Sequence, residues 1–254
     1  MATATTTARR AEAGVEAEHP AHRVHHGVPY LRFLRRLYEH CAPRSYLEIG
    51  TRHGRSLEAF DCDAICIDPS MRPGPASYGK RERTFCYQMT SDRFFETENV
   101  RQIFPAGVDV AFLDGMHHYE YLLRDFINTE KVCHKGSLIL MHDCFPGSPE
   151  IAGRVPPGGA WAGDVWKLVP TLKKYRPDLD LHLIDCPPTG LFLAQKLDQG
   201  SDLLQRNYDG IVAEFAGLSL EEYGVATLLS DLPVLESRLK SVWSRHLPTF
   251  RQPV

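Results

Sequence analysis

The 254-residue sequence predicts an α/β fold in which a mostly parallel sheet is covered by helices on both faces. Three observations predict it. Short, near-continuous apolar runs recur along the chain, as strands buried on both faces require. Segments with apolar residues at helical spacing fall between them. The runs end in glycines, acids or histidines, at Glu48-Ile-Gly50, Asp68, Asp114 and His142-Asp143. Open α/β sheets bind ligands at these carboxyl ends.

The elements follow in chain order. Residues 1–24, rich in Ala, Thr, Glu and His without periodicity, read as a flexible tail. His19, His22, His25 and His26 read as solvated side chains rather than a metal site. From Pro29 to His40, Leu31, Leu34, Leu37 and Tyr38 recur at helical spacing, with Arg32, Arg35 and Arg36 on the other side. Strand-like runs are Ser45 to Ile49, Ala64 to Asp68, Thr84 to Gln88, Val108 to Asp114 and Ser137 to Met141. Helical stretches are Ser56 to Phe60, Asp92 to Phe104, Tyr119 to Cys133 and Val165 to Tyr175. Leu181 to Asp185 and Leu191 to Gln195 flank Cys186-Pro-Pro-Thr-Gly190 and read as an antiparallel hairpin. The Gly/Pro-rich segment from Phe145 to Gly163 reads as a lid over the end of the fifth strand. In it, Trp161 and Trp166 are candidate walls for an acceptor, Trp166 alternatively a core anchor. Residues 25–197 form the expected domain. Residues 198–254 read as a helical extension without strands, with a capping box at Ser219-x-x-Glu222, Pro233 in a first helical turn, and an apolar face of Leu235, Leu239, Val242 and Trp243. That extension either packs on the core or serves as a lid or homodimer contact.

Composition excludes several classes. Lys+Arg 29 against Asp+Glu 32 leaves a formal net charge of −3, without the basic excess of a nucleic-acid binder. No apolar run is long enough for a membrane span, and the N-terminal residues lack the apolar region of a signal peptide. The expectation is a soluble cytoplasmic protein. The seven cysteines form no Cys-x-x-Cys pair, which argues against a zinc ribbon or a redox dithiol. Most read as small buried hydrophobes.

Glu48-Ile-Gly50-Thr51-Arg-His-Gly54-Arg-Ser56 carries the first chemical signal. Glycines at a strand exit let backbone N–H groups approach a ligand. Asp68 ends the second strand, and a carboxylate there suits a ribose diol. The dinucleotide pattern G-x-G-x-x-G is absent, as is a Walker A lysine. The acid Glu48 suits a cationic ligand better than a pyrophosphate. S-adenosylmethionine (SAM), with its ammonium and sulfonium, is such a ligand. The alternative is an ordinary strand-to-helix turn. His117, His142 and Asp143, after the fourth and fifth strands, are candidate catalytic residues. Histidine suits proton transfer near neutral pH, and His117 is the first candidate base.

Together these motifs resemble the class I SAM-dependent methyltransferases, in the small-molecule subgroup written E-I-G-x-x-x-G-x-S, D-G-x-H-x-Y-E and G-G-x-I-x-x-H-D. Glu48, Gly50, Gly54 and Ser56 match the first motif, and Asp114, Gly115, His117, Tyr119 and Glu120 the second. Gly136, Ile139, His142 and Asp143 match the third, in which Ser137 replaces a glycine. The resemblance covers about residues 45–195 and extends to macrocin-type O-methyltransferases. It implies a Rossmann-like seven-stranded sheet of order 3-2-1-4-5-7-6. It implies SAM held by Glu48, Gly50, Thr51, Gly54, Ser56, Asp68, Ser91, Asp92 and Asp114, with Ser91 and Asp92 near adenine. It also implies a divalent-metal position at Asp114, His142 and Asp143, where histidine in place of an acid shifts the preference away from Mg²⁺. The expected reaction is methylation of a small molecule, most simply at a hydroxyl. The rivals are N-methylation, a metal-dependent hydroxylase-like relative, and a non-catalytic SAM-binding scaffold.

Overall fold

The computed structural model describes residues 25–250. The expected tail, with His19 and His22, lies outside the described residues. Helix α1 spans Tyr30–Cys41 and is followed by strands β1 (Ser45–Ile49), β2 (Asp63–Ile67) and β3 (Thr84–Tyr87). Helices α2 (Ser91–Thr97) and α3 (Val100–Ile103) lead to β4 (Val108–Leu113), α4 (Tyr119–Val132) and β5 (Cys133–His142). Helix α5 (Leu168–Tyr175), β6 (Asp180–Ile184) and β7 (Leu191–Gln195) complete the domain. The extension holds α6 (Leu203–Arg206), α7 (Tyr208–Ala216), α8 (Leu220–Tyr223), α9 (Val225–Asp231), β8 (Val234–Leu235) and α10 (Lys240–His246).

One sheet contains all eight strands in the order β3-β2-β1-β4-β5-β7-β6-β8. Its first five strands are parallel, and β7 runs antiparallel to both β5 and β6. The expected seven-strand order is therefore present, in a Rossmann-like architecture. Strands β1 and β4 are buried throughout, as their near-continuous apolar runs demand. One face packs Phe33, Leu34 and Leu37 of α1 on Tyr46, Cys66, Val110 and Leu140. The other packs Leu123 and Phe126 of α4 with Leu168 and Leu172 of α5 on Leu47, Ala111 and Ile139.

Four expectations are corrected. The extension is not purely helical, because Val234–Leu235 forms β8 parallel to β6. The open edge of β6 supplies the reason: Leu183 and Asp185 N–H donate to the carbonyls of Pro233 and Leu235, both at 3.0 Å. Pro233 opens this strand, where its missing N–H costs nothing, rather than a helix. Second, Ser56 to Phe60 forms a single 3-10 turn, Leu57–Ala59, because the chain must re-enter the sheet at Asp63. The buried Arg81 guanidinium closes it, donating to the carbonyls of Leu57 and Phe60. Third, Asp92 to Phe104 is two helices, since Asn99 leaves the first and caps the second through Arg101 N–H. Fourth, His25 is not solvated. It is buried, with Nδ1 3.0 Å from Asp185 Oδ1 and Nε2 2.8 Å from the Phe145 carbonyl.

The Ser219–Glu222 capping box forms as expected. The extension packs on the core through Leu204, Ile211, Phe215, Leu220, Val225 and Leu228. Its start is tied down by a buried ion pair: Arg176 reaches Glu130 at 2.6 Å, and Glu130 also accepts the Asp198 N–H at 3.1 Å. Five cysteines are buried, whereas Cys62 is half-buried and Cys86 exposed, because β3 is the sheet's edge strand. No helix among the described residues is long and apolar enough to cross a membrane.

Removing one partner of a buried ion pair strands the other charge. Arg176→Leu should lower unfolding free energy by roughly 3–5 kcal/mol. Denaturant unfolding checks this, and a loss below ~1 kcal/mol would contradict a structural role for the pair.

Candidate active site at the strand ends

The site begins where β1 and β4 leave the sheet side by side. Gly50 has φ +91°, and a Cβ there would lie 1.9 Å from the Asp114 carbonyl oxygen. Only glycine meets both conditions. Asp114 N–H donates to the Ile49 carbonyl at 2.9 Å, which holds the two exits in register. The turn then crosses to β2, where the Asp68 carboxylate accepts the N–H groups of Arg52 (2.9 Å) and Ser70 (2.6 Å). Asp68 thus sits at the rim of the turn, while Glu48 lies beneath it. Glu48 is fully buried and accepts from Tyr46 Oη and Ser56 Oγ, both at 2.8 Å. Burial pushes its carboxyl up to about 7, against those two hydrogen bonds. Thr51 Oγ1 is buried in the turn without a hydrogen-bond partner. Burial pushes the Asp125 carboxyl up to about 7, with Ser91 acting the other way. Asp92 is held by Arg124 at 2.8 Å, and Arg124 also donates to Tyr208 Oη at 2.7 Å.

At the exits of β4 and β5, four side chains form a ring of alternating charge. His117 Nε2 lies 3.6 Å from Asp114 Oδ1 and 3.2 Å from Asp143 Oδ2. His142 Nδ1 lies 3.3 Å from each of the same carboxylates. Burial disfavours a charged imidazole at His142, but Asp114 and Asp143 outweigh it and carry its pKa up to about 10. The same balance raises His117. Burial would raise Asp114, yet His142 and His117 hold it down at about 2. Asp143 occupies the left-handed region at φ +60° and accepts a hydrogen bond from Thr189 Oγ1. That conformation turns its carboxylate back toward Asp114 and is costly for a residue with a Cβ.

The walls come from three segments. The Tyr30 ring lies 4.2 Å from the His142 ring between centroids. Burial and the nearby carboxylates raise its hydroxyl to about 12, so it remains a proton donor. His142 Nε2 is buried without a hydrogen-bond partner. The Gly/Pro-rich loop is pinched shut at its neck, where Ala162 and Gly163 N–H both donate to the Ile151 carbonyl. Arg154 latches it to α4, reaching Glu120 at 2.7 Å and Asp164 at 2.9 Å. Trp161 lies against His117, with ring centroids 5.1 Å apart, and its carbonyl is 3.2 Å from His117 Nδ1. Trp166 is instead a core residue, fully buried with its indole N–H on the Ala152 carbonyl.

The structure thus brings Asp114, His117, His142 and Asp143 together, with Gly50 and Asp68 on the neighbouring exits. One ligand atom each from Asp114, His117 and Asp143 fall within 4.8 Å of one another, so His117 joins the carboxylates that the sequence paired with His142 alone. Sequence reasoning missed Tyr30, Thr189 and Arg154. The first was hidden on a helix face, the second in a turn, and the third in a segment without periodicity. A groove of about 970 Å³ lies apart from the cluster, lined by Asp92, Phe95, Arg124, Tyr175 and Tyr208. It is polar and open, and its arginine is already neutralised by Asp92.

Residues 47–144 match the family model of a methyltransferase domain, a span that holds the glycine turn and the whole charged ring. Among solved structures, the chain is similar to the O-methyltransferase TomG from Streptomyces achromogenes in complex with SAM, with 18% identity over 66% of this chain and 80% of that one, at a TM-score of 0.48. It is also similar to an O-methyltransferase from Bacillus cereus in complex with S-adenosylhomocysteine (SAH), with 14% identity over 69% and 84% of the two chains and a TM-score of 0.49. No curated protein matches the chain.

The raised pKa of His142 has a consequence for stability. A group whose pKa rises on folding stabilises most fully below its unfolded value and loses that contribution as pH climbs through its folded value. For His142 the window runs from about 6.5 to about 10. In chelator-treated protein, His142→Gln should therefore show a smaller fall in Tm across this window than the unaltered protein. Parallel curves would contradict the ring's charge state.

Proposed function

We propose that this protein transfers the methyl group of SAM to a hydroxyl of a small-molecule acceptor, in the cytoplasm. The observation that carries the reading is the juxtaposition of the Gly50 turn and Asp68 with a carboxylate–imidazole ring on the adjacent strand exits. Asp68 has oxygen lone pairs beyond its two backbone donors to accept ribose hydroxyls. The glycine turn brings backbone N–H groups within reach of the amino-acid end. Acidic Asp114 beside it favours a cationic ligand.

In the transfer, the acceptor oxygen forms a bond to the methyl carbon while the carbon–sulfur bond breaks. SAH leaves without the sulfonium charge. The acceptor's proton goes to His117 Nε2, and Asp114 and Asp143 stabilise the imidazolium so formed. His142, clamped between the carboxylates and Tyr30, holds their spacing. Trp161 shields the His117 side from water.

Asp114, His117 and Asp143 also fit a divalent cation, with two carboxylate oxygens and one imidazole nitrogen converging. An imidazole in the set suits Mn²⁺, Fe²⁺ or Zn²⁺ better than Mg²⁺. Such an ion would lower the pKa of a coordinated acceptor hydroxyl. Bound there, it would compete with protons for the His117 imidazole.

Asp68→Ala should weaken SAM binding about tenfold or more, the scale of losing charge-assisted hydrogen bonds. Calorimetry that finds unchanged affinity would overturn the ribose assignment. His117→Ala should lower kcat about 100-fold while SAM affinity stays within about threefold. Equal losses in both quantities would contradict its role as base.

A further inference from the structure

Cys66 on β2 and Cys86 on β3 are register partners in a parallel pair. Adjacent strands lie about 4.8 Å apart. This is within the ~4.4–6.8 Å Cα separation that a disulfide bridges. Register partners project from the same face of the sheet, so both thiols stand on the same side of it. Their surroundings differ in the way a reactive dithiol needs. Cys66 is fully buried, while Cys86 is exposed on the edge strand. The charge of the buried Arg81 acts on both thiols, and its Nε has no hydrogen-bond partner. Pairing with Cys66, helped by Arg81 and opposed by partial burial, holds the Cys86 thiol down at about 7. The same pairing and burial push Cys66 far above the usual thiol range. Cys86 is therefore the group that is both accessible and thiolate near neutral pH. The absence of a Cys-x-x-Cys motif concealed this pair, because the sheet and not the chain makes it.

We propose that Cys86 and Cys66 are a peroxide-responsive dithiol that closes into a disulfide between β2 and β3. The Cys86 thiolate attacks a hydroperoxide oxygen, the O–O bond breaks, and hydroxide or alkoxide leaves, giving Cys86 sulfenic acid. The Cys66 sulfur then displaces the sulfenic hydroxyl. The S–S bond forms, and the Cys66 proton leaves with that hydroxyl as water. The two thiols together lose two electrons and the peroxide gains them. Cys66 is two residues from Asp68, so the bridge bears on the ribose end of the site. This coupling rests on the SAM reading, whereas the dithiol itself does not.

The test treats the full chain with hydrogen peroxide, blocks free thiols by alkylation, and maps peptides without reduction. The expected product is a Cys66–Cys86 bridge that dithiothreitol reverses. It should be lost in Cys86→Ser and Cys66→Ala, and kept in Cys62→Ser, which removes the half-buried thiol nearest in sequence. Cys86 accumulating as sulfinic acid without a bridge, or bridging to another cysteine, overturns the proposal. The mapping of the unaltered protein decides this even if Cys66→Ala fails to fold. Calorimetry on the same samples should show SAM affinity falling at least threefold on oxidation, with no change in Cys86→Ser. A bridge that leaves affinity unchanged overturns the coupling. A reduced protein that binds no SAM overturns the functional reading and leaves the dithiol standing.

Discussion

The exits of β1 and β4 can run side by side only because residue 50 has no side chain. A methyl group there would collide with the Asp114 carbonyl, and φ at this position is positive besides. Everything chemical in the molecule is arranged around this close approach. It sets Asp114 at the start of the β4–α4 loop, three residues before His117. It leaves the turn free to bend over to Asp68. Gly163 repeats the device on the far side, where a Cβ would lie 1.9 Å from the His117 carbonyl oxygen. Backbone therefore packs on backbone at Asp114 and again at His117, and these two members of the ring are placed by the chain itself.

The electrostatics follow from that geometry. Two carboxylates placed together would ordinarily repel and take up protons. Here each imidazole spans both acids, so Asp114 stays ionised although burial opposes it, and His142 is held charged for the same reason. The ring gains net negative charge whenever an imidazole is neutral. A cationic ligand shifts it in that direction. Glu48 stands beneath the turn. Its two oxygens are engaged by Tyr46 and Ser56, which makes it a strut beneath the turn.

Much of the sheet was legible because its central strands are buried on both faces and so appear as near-continuous apolar runs. Ser45 to Ile49 and Leu191 to Gln195 are read to the residue. The charged ring was legible because its members stand directly after such runs. What escaped depends on distant pairing. β8 is too short for any period and exists because β6 offers an open edge. Ser56 to Phe60 has helical composition, but the return to β2 leaves room for one turn only. Tyr30 reaches the site from before β1, and no local pattern marks it. Cys66 and Cys86 stand twenty positions apart in the sequence and become neighbours only through the β2–β3 register.

The central claim is that SAM lies across the Gly50 turn with its sulfonium facing the ring of Asp114, His117, His142 and Asp143. A crystal structure with SAH bound tests it most directly. The account predicts ribose hydroxyls on Asp68 and the sulfur directed at His117. SAH lodged instead in the groove between Asp92 and Tyr208, or with its sulfur turned away from the ring, would contradict it.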